Sequence, residues 1–588
     1  MRLPLLLLVL LAPAPADAAD AVDFRKDVRP VLQERCFACH GALAQKAKLR
    51  VDSVANLLKA EAVVVGKPGQ SELFLRVSSA DEGTRMPPEG HSLKPEEVAK
   101  IKAWIKQGAK PSADDAPEPD PRDHWAFRTP VRPKVPDTKH SVANPIDAFV
   151  VAEWERRGLT PVKPADRGVL LRRVYLDLIG LPPTPEQIAA FLKDDSPDAY
   201  EKVVDQLLAS PQYGERWGRH FLDVWRYSDW WGLGAELRNS QRHIWHWRDW
   251  TIESFNADLG YDEMVRQMLA ADELYPTDPK KLRATGYLAR SYFLFNRTSW
   301  LDEVTQHAGK GFLGLTFNCA KCHDHKYDPI SQKDFYSFRA IFEPYQVRTD
   351  LVPGELDATK AGIPRAFDCN LDANTPFHVR GDERNPDPAR DVKPGLPQFL
   401  APDGLKVTPV KLPPEAYQPL RRAEIVETYR KAAKAKLAAA KERLAEVEKA
   451  VEGRGAPVTW AALAVRKGVA GVEKELRDVE AAIADPAKAP LALRGSVKSA
   501  ESNVETAESK ARPFPDTSTG RRTALANWIA DAKNPLTARV AVNHLWTRHF
   551  GQPLVPTVFE FGRRGAAPSH PELLDWLACE LMHPTPQP

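Results

Sequence analysis

The stretch F-R-K-D-V-R-P-V-L-Q-E-R-C-F-A-C-H-G, residues 24–41, sets the reading of the whole chain. Phe24, Val28 and Leu32 recur at helical spacing, so an apolar face runs directly into Cys36, Cys39 and His40. Two thiols one helical turn apart, with an adjacent imidazole, suit the two vinyl groups and the iron of a covalently attached haem. The preceding helix supplies the apolar wall that such a ring needs. Met86, in T-R-M-P-P-E-G, is the only methionine between residues 2 and 263 and is the expected sixth ligand. Leu93, Val98, Ile101, Trp104 and Ile105 then predict a closing helix. Two alternatives stand beside this reading. One is a zinc knuckle completed by His91, since zinc wants four ligands in a tetrahedron. The other leaves Met86 as a core methionine.

The motif recurs as C-A-K-C-H at Cys319 to His323, inside N-C-A-K-C-H-D-H-K-Y-D-P-I. Here the nearest methionine, Met268, lies fifty-one residues upstream. A second haem would therefore take His323 on one side and His307 or His325 on the other, or leave that position open. The alternatives are a zinc set of Cys319, Cys322, His323 and His325, or a plain structural loop or disulfide.

Residues 1–18 place one basic residue, an apolar run and then small residues in the order of a secretory signal peptide. That run is too short to span a bilayer comfortably, and no other segment reaches eighteen apolar residues. The expectation is an exported protein, periplasmic or at the cell surface, with no membrane span after cleavage. With 82 basic and 79 acidic residues the net charge is +3, which gives no case for a nucleic-acid partner. Four of the six cysteines sit in the two motifs, an arrangement unlike a disulfide framework.

The 588 residues divide into several segments, mostly α. After the signal peptide come a cytochrome c-like helical domain over 23–109 and a Pro-rich linker over 110–143. A larger helical domain carrying the second motif covers 144–345, followed by a loop-rich segment with short strands over 346–418. A helical hairpin covers 421–483, broken by G-R-G-A-P at 453–457, and a last helical domain covers 512–588. In the larger domain Asn144 reads as a helix cap, Pro145 as the first turn and Gly158 as the stop. Further helices are expected over 170–178, 185–193, 200–209, 243–255 and 261–270. Six of the fifteen tryptophans lie between Trp225 and Trp250, interleaved with Arg226, Arg242 and Arg248. This cluster reads as a helical core with arginine–carboxylate pairs, or as a haem wall or stacking platform for sugar rings. Arg380 to Asp382 reads as a turn between loop segments.

The motifs resemble those of multidomain exported cytochrome c-like proteins of planctomycete bacteria. Residues 24–41, R-M-P-P-E-G at 85–90 and K-A-W-I-K-Q-G-A at 102–109 resemble the planctomycete cytochrome C domain. L-R-R-V-Y-L-D-L-I-G-L-P-P-T-P at 171–185, R-D-W-T-I-E-S-F-N-A-D-L at 248–259 and residues 318–336 resemble DUF1549. G-R-R-T-A-L-A-N-W-I-A at 520–530, residues 534–546 and H-P-E-L-L-D-W-L-A at 570–578 resemble DUF1553. The resemblance implies haem c at Cys36, Cys39 and His40, and a second haem c at Cys319, Cys322 and His323. It implies no substrate. Because the chain stops soon after H-P-E-L-L-D-W-L-A-C-E-L, the DUF1553 domain is expected to be shortened.

Three functional classes follow. Electron transfer would need a redox partner protein or a small-molecule electron donor or acceptor. A haem-dependent redox enzyme would use one centre as relay and the other for substrate. A carbohydrate-binding or scaffold protein would keep its metal sites for structure and take a polysaccharide as partner. No Ser-His-Asp order or carboxylate pair supports hydrolysis, and no catalytic residue is assigned.

Overall fold

Helix makes up about 53% of the structure against 4% strand, so the mostly α reading holds. The computed structural model describes residues 21–88, 91–228, 241–290, 296–452, 456–499 and 512–585. The expected signal peptide lies outside the described residues. The chain forms two compact units, Met1–Trp125 with Lys326–Pro329, and Ala126–His325 with Ile330–Pro588.

The first unit is built on the apolar face that leads into Cys36. Phe24, Val28 and Leu32 are all buried, on one turn of π-helix (Phe24–Val28) continued by an α-helix over Arg29–Arg35. Asp23 caps this run by accepting the Lys26 N–H at 2.9 Å. The predicted closing helix covers Pro95–Lys106, and the Glu97 carboxylate accepts the Lys94 N–H at 2.7 Å at its start. Ile101, Trp104 and Ile105 face inward, and Trp104 lies 5.1 Å from the Phe24 ring. The two ends are tied by Val22 N–H donating to Gln107 Oε1 at 2.9 Å.

In the second unit, Asn144 accepts the Asp147 N–H at 2.9 Å and opens the helix Pro145–Arg156. The expected helices appear over Arg167–Leu178, Pro185–Lys193, Ala199–Leu208, Trp245–Asn256 and Tyr261–Leu274. Three further helices of eight residues or more in this segment, Pro211–Val224, Arg297–Leu313 and Gln332–Arg339, were not expected from the sequence. In the first of these Gly214 and Gly218 resemble breakers, yet they are the contact face for the helix Trp245–Asn256. A Cβ on Gly214 would come within 2.4 Å of Ile252 O. The hairpin consists of Ala423–Val451 and Ala456–Ala484.

The strands are β1 (Tyr345–Asp350), β2 (Ile363–Asp368), β3 (Val410–Lys411), β4 (Ser496–Lys498) and β5 (Thr517–Ser518). β1 lies between antiparallel β2 and β4, with Tyr345 opposite Asp368 and Thr349 opposite Val497; β3 pairs with β5. This small sheet gathers a buried ionic network. Arg522 holds the two oxygens of Asp272 at 2.6 and 2.7 Å and Asp368 at 3.0 Å. Asp350 in turn meets Arg348 at 2.9 Å and Arg422 at 3.0 Å. The network joins the helix Tyr261–Leu274, the sheet, the foot of the hairpin and the helix Arg521–Ile529.

Candidate functional site

Cys36 to His40 occupy one tight helical turn. The N–H groups of Cys39 and His40 donate to Cys36 O at 3.1 and 2.8 Å, which sets both thiols and the imidazole around a single turn. Cys36 is buried, while Cys39 and His40 are half-buried, so the motif lies at the margin of the apolar core. Burial, then the neighbouring Cys39, push the Cys36 thiol up to about 12, so it is held as a neutral thiol. Residues 41–50 fold back so that the Val51 N–H reaches His40 O at 2.8 Å and Lys46 O lies 3.0 Å from His40 Nδ1. A carbonyl only accepts, so Nδ1 carries the proton and Nε2 keeps its lone pair for a metal.

Cys319 to His323 repeat this with looser geometry. The turn is 3₁₀ over Asn318–Lys321, and the Cys322 and His323 N–H groups reach Cys319 O at 3.3 and 3.4 Å. Cys319, Cys322 and His323 are all exposed. His323 Nδ1 lies 2.7 Å from Asp324 O, which again leaves Nε2 as the free acceptor. Ala320 of the turn is buried, and polar contacts hold the rest. Lys321 O accepts from Gln332 Nε2 at 2.9 Å and from the Tyr336 hydroxyl at 3.2 Å, and Lys321 Nζ pairs with Asp302 at 2.8 Å. Gly381, in a single 3₁₀ turn over Val379–Gly381, backs Cys322 so closely that a Cβ would lie 2.5 Å from its Sγ.

Met86 is half-buried, outside the buried core, with its N–H on Arg76 O at 3.0 Å. His91 is exposed. Among the described residues no three His, Cys, Asp or Glu side chains converge as a metal-holding group, so neither zinc set is assembled. All six cysteines are free. His325 is buried, its N–H closes a turn onto Ile330 O at 2.8 Å, and burial lowers its imidazole below the usual range. His307 is buried in the helix Arg297–Leu313, with Nε2 2.8 Å from Arg226 Nη1 and 3.3 Å from Glu303 Oε2.

The tryptophan cluster is core where it is described. Trp225, Trp247 and Trp250 are buried, Trp245 is exposed, and Trp230 and Trp231 lie outside the described residues. Arg248 meets the carboxylate of Asp249 at 2.9 Å. Arg226 instead meets the His307 ring at 2.8 Å, and both line a cavity of about 620 Å3 whose walls include Lys310, Thr316 and Glu560. The sequence reading did not anticipate this cavity, because its wall joins segments more than 240 residues apart. Thr316 donates to Glu560 at 2.5 Å, and the Phe561 N–H donates to Gly314 O at 2.7 Å.

Three family models match the chain. One described as planctomycete cytochrome C covers residues 36–90, a protein of unknown function (DUF1549) covers 145–347, and a protein of unknown function (DUF1553) covers 521–585. The order is the one expected from the motifs. The first match contains Cys36, Cys39, His40 and Met86, and the second contains His307, Cys319, Cys322, His323 and His325. No curated protein and no solved structure matches the chain.

Proposed function

We propose that this chain, whose domain order is planctomycete cytochrome C, DUF1549 and DUF1553, is an exported c-type cytochrome that passes single electrons. Cys36, Cys39 and His40 would hold a first haem c, with Met86 as a further candidate ligand, and Cys319, Cys322 and His323 would hold a second. The observation that carries this reading is shared by both motifs: each histidine binds a backbone carbonyl through Nδ1 and presents Nε2. Bound there, haem c supplies a one-electron couple whose potential follows its axial ligands and its exposure. The residues of the chain attach, orient and shield. The buried face of Phe24, Val28 and Leu32 excludes water beside the first motif. A thioether at Met86 favours the reduced state relative to a second imidazole. At the second motif His307 or His325 would be the candidate imidazole on the other side. The expected partners are a redox protein or a small-molecule electron donor or acceptor. The leader over residues 1–18 supports a periplasmic or cell-surface location, and no described helix is long and apolar enough to cross a membrane.

A second reading, a haem-dependent redox enzyme, draws on the exposure of Cys319, Cys322 and His323 and on the cavity wall at Thr316, three residues before Cys319. One experiment serves both. Mature protein made with a cytochrome c maturation system should keep two haems after denaturation, and Cys36→Ala with Cys39→Ala should keep one. A mass without haem overturns the proposal. Rapid cyanide binding by the double variant would favour the enzyme reading over the relay. Met86→Ala should abolish a weak far-red sulfur-to-iron band and lower the first potential; an unchanged band returns Met86 to a packing role.

A further inference from the structure

We propose that the cavity walled by Arg226, His307, Lys310, Thr316 and Glu560 binds a small organic molecule bearing an oxyanion, with Arg226 and Lys310 as its receptors. The charges point that way. Each acid of the cavity wall is engaged: Asp223 lies 3.8 Å from Arg548, and Glu560 accepts from Thr316 and from the Gly562 N–H at 3.1 Å. The cations are not matched in this way. Among the described residues Arg226 bonds only to the His307 ring, at 2.8 and 3.2 Å, and the Lys310 ammonium has no hydrogen bond or ion pair. Two cations lining one cavity without a carboxylate of their own are a receptor for an anion.

The backbone gives an independent reason. Arg226 follows the helix Pro211–Val224 with φ at +59°, a conformation that helix ends usually assign to glycine. A non-glycine residue in this region points towards a use for its side chain. His307, buried one helix away, holds the guanidinium and is a positioning residue. Val558 and Phe559 add an apolar wall, and a volume of about 620 Å3 suits a small organic molecule more than a bare ion. The wall at 556–560 comes from the C-terminal part of the chain, so the cavity is complete only when that part is folded. The inference does not depend on haem.

Calorimetry on the full chain tests it, at constant ionic strength in sodium chloride, with glucuronate, inorganic sulfate and inorganic phosphate as probes and glucose as the uncharged control. Glucuronate should bind and glucose should not. Arg226→Gln and Lys310→Met should each weaken binding about tenfold, the loss of one charge-assisted contact. Lys441→Met, which removes a hairpin ion pair to Glu473 at 3.4 Å, should leave affinity unchanged. Glucuronate binding more tightly than sulfate and phosphate assigns part of the recognition to the apolar wall, and equal affinities assign it to the oxyanion alone. If Arg226→Gln fails to fold, Lys310→Met carries the test, because that ammonium has no partner to lose. Anions that bind no better than glucose, or variants that bind as the parent does, overturn the proposal.

Discussion

The two C-x-x-C-H motifs carry the same ligands and rest on different physics. The first is an α-turn at the margin of an apolar core, with Cys36 buried and the His40 N–H 2.8 Å from Cys36 O. The second is a looser 3₁₀ turn, with 3.4 Å at the equivalent bond, both thiols exposed, and Gln332, Tyr336, Lys321 and Gly381 holding it. What they share is local: the thiol spacing and an imidazole proton committed to a carbonyl. What differs is tertiary, and it decides how each site fails.

The largest expected difference is in stability. Trp104→Ala leaves a large cavity against Phe24 and should cost the first unit about 3–5 kcal/mol. Arg522→Met strands Asp272, Glu273 and Asp368 without their cation and should cost the second unit about 3–5 kcal/mol. Hydrogen exchange followed by mass spectrometry separates the two, each variant raising exchange first in its own unit. If Arg522→Met leaves exchange around 272, 368 and 522 unchanged, the ionic network does not hold the second unit together.

This difference also marks what the sequence could show. Local periodicity disclosed the helix before Cys36, the Asn144 cap and both arms of the hairpin, because each is set by residues within a few turns of one another. The helix over Pro211–Val224 was hidden because Gly214 and Gly218 serve a neighbour at Ile252, which no local rule contains. The ligand residues of both motifs were legible. Their supports were not: Lys46 acts through its carbonyl, Gly381 through its missing side chain, and Arg226 and Glu560 meet one cavity from distant segments. The arginine–carboxylate pairing expected around the tryptophans is seen at Arg248, whereas Arg226 is turned to a histidine.

Acid should separate the units next. Among the described residues the buried histidines, His220, His307, His325, His378 and His544, all lie in the second unit. Burial, reinforced by nearby arginines, pushes His220 and His544 down to about 4. A histidine depressed by folding contributes stability that is full above its unfolded value of about 6.5 and is lost as pH falls towards the folded value. Glu273, raised by burial, works in the opposite sense, one group against several. Thermal unfolding between pH 7.5 and 4.5 should therefore lower the transition of the second unit more than that of the first. A parallel decline in both would break the contrast.

The smallest effect, and the most local, is expected at Gly381. Its φ of +77° disfavours any side chain, and a Cβ would also press within 2.5 Å of Cys322 Sγ. Alanine there should cost about 1–2 kcal/mol from backbone strain alone. Gly404 separates the two causes, since its φ is +72° and a Cβ there meets nothing within 4 Å. Gly381→Ala and Gly404→Ala should thus carry a similar strain, and only Gly381→Ala should displace a thiol. In chains matured for haem attachment, the expected outcome is normal loading at Cys36 and Cys39 in both variants. Loading at Cys319 and Cys322 should fall only in Gly381→Ala, read as the fraction of chains with one haem instead of two. The first motif should be untouched because its thiols are set by their own helix and core. Equal loading in the two variants would mean that Cys322 yields freely to a methyl group, and that the second turn does not depend on the glycine behind it.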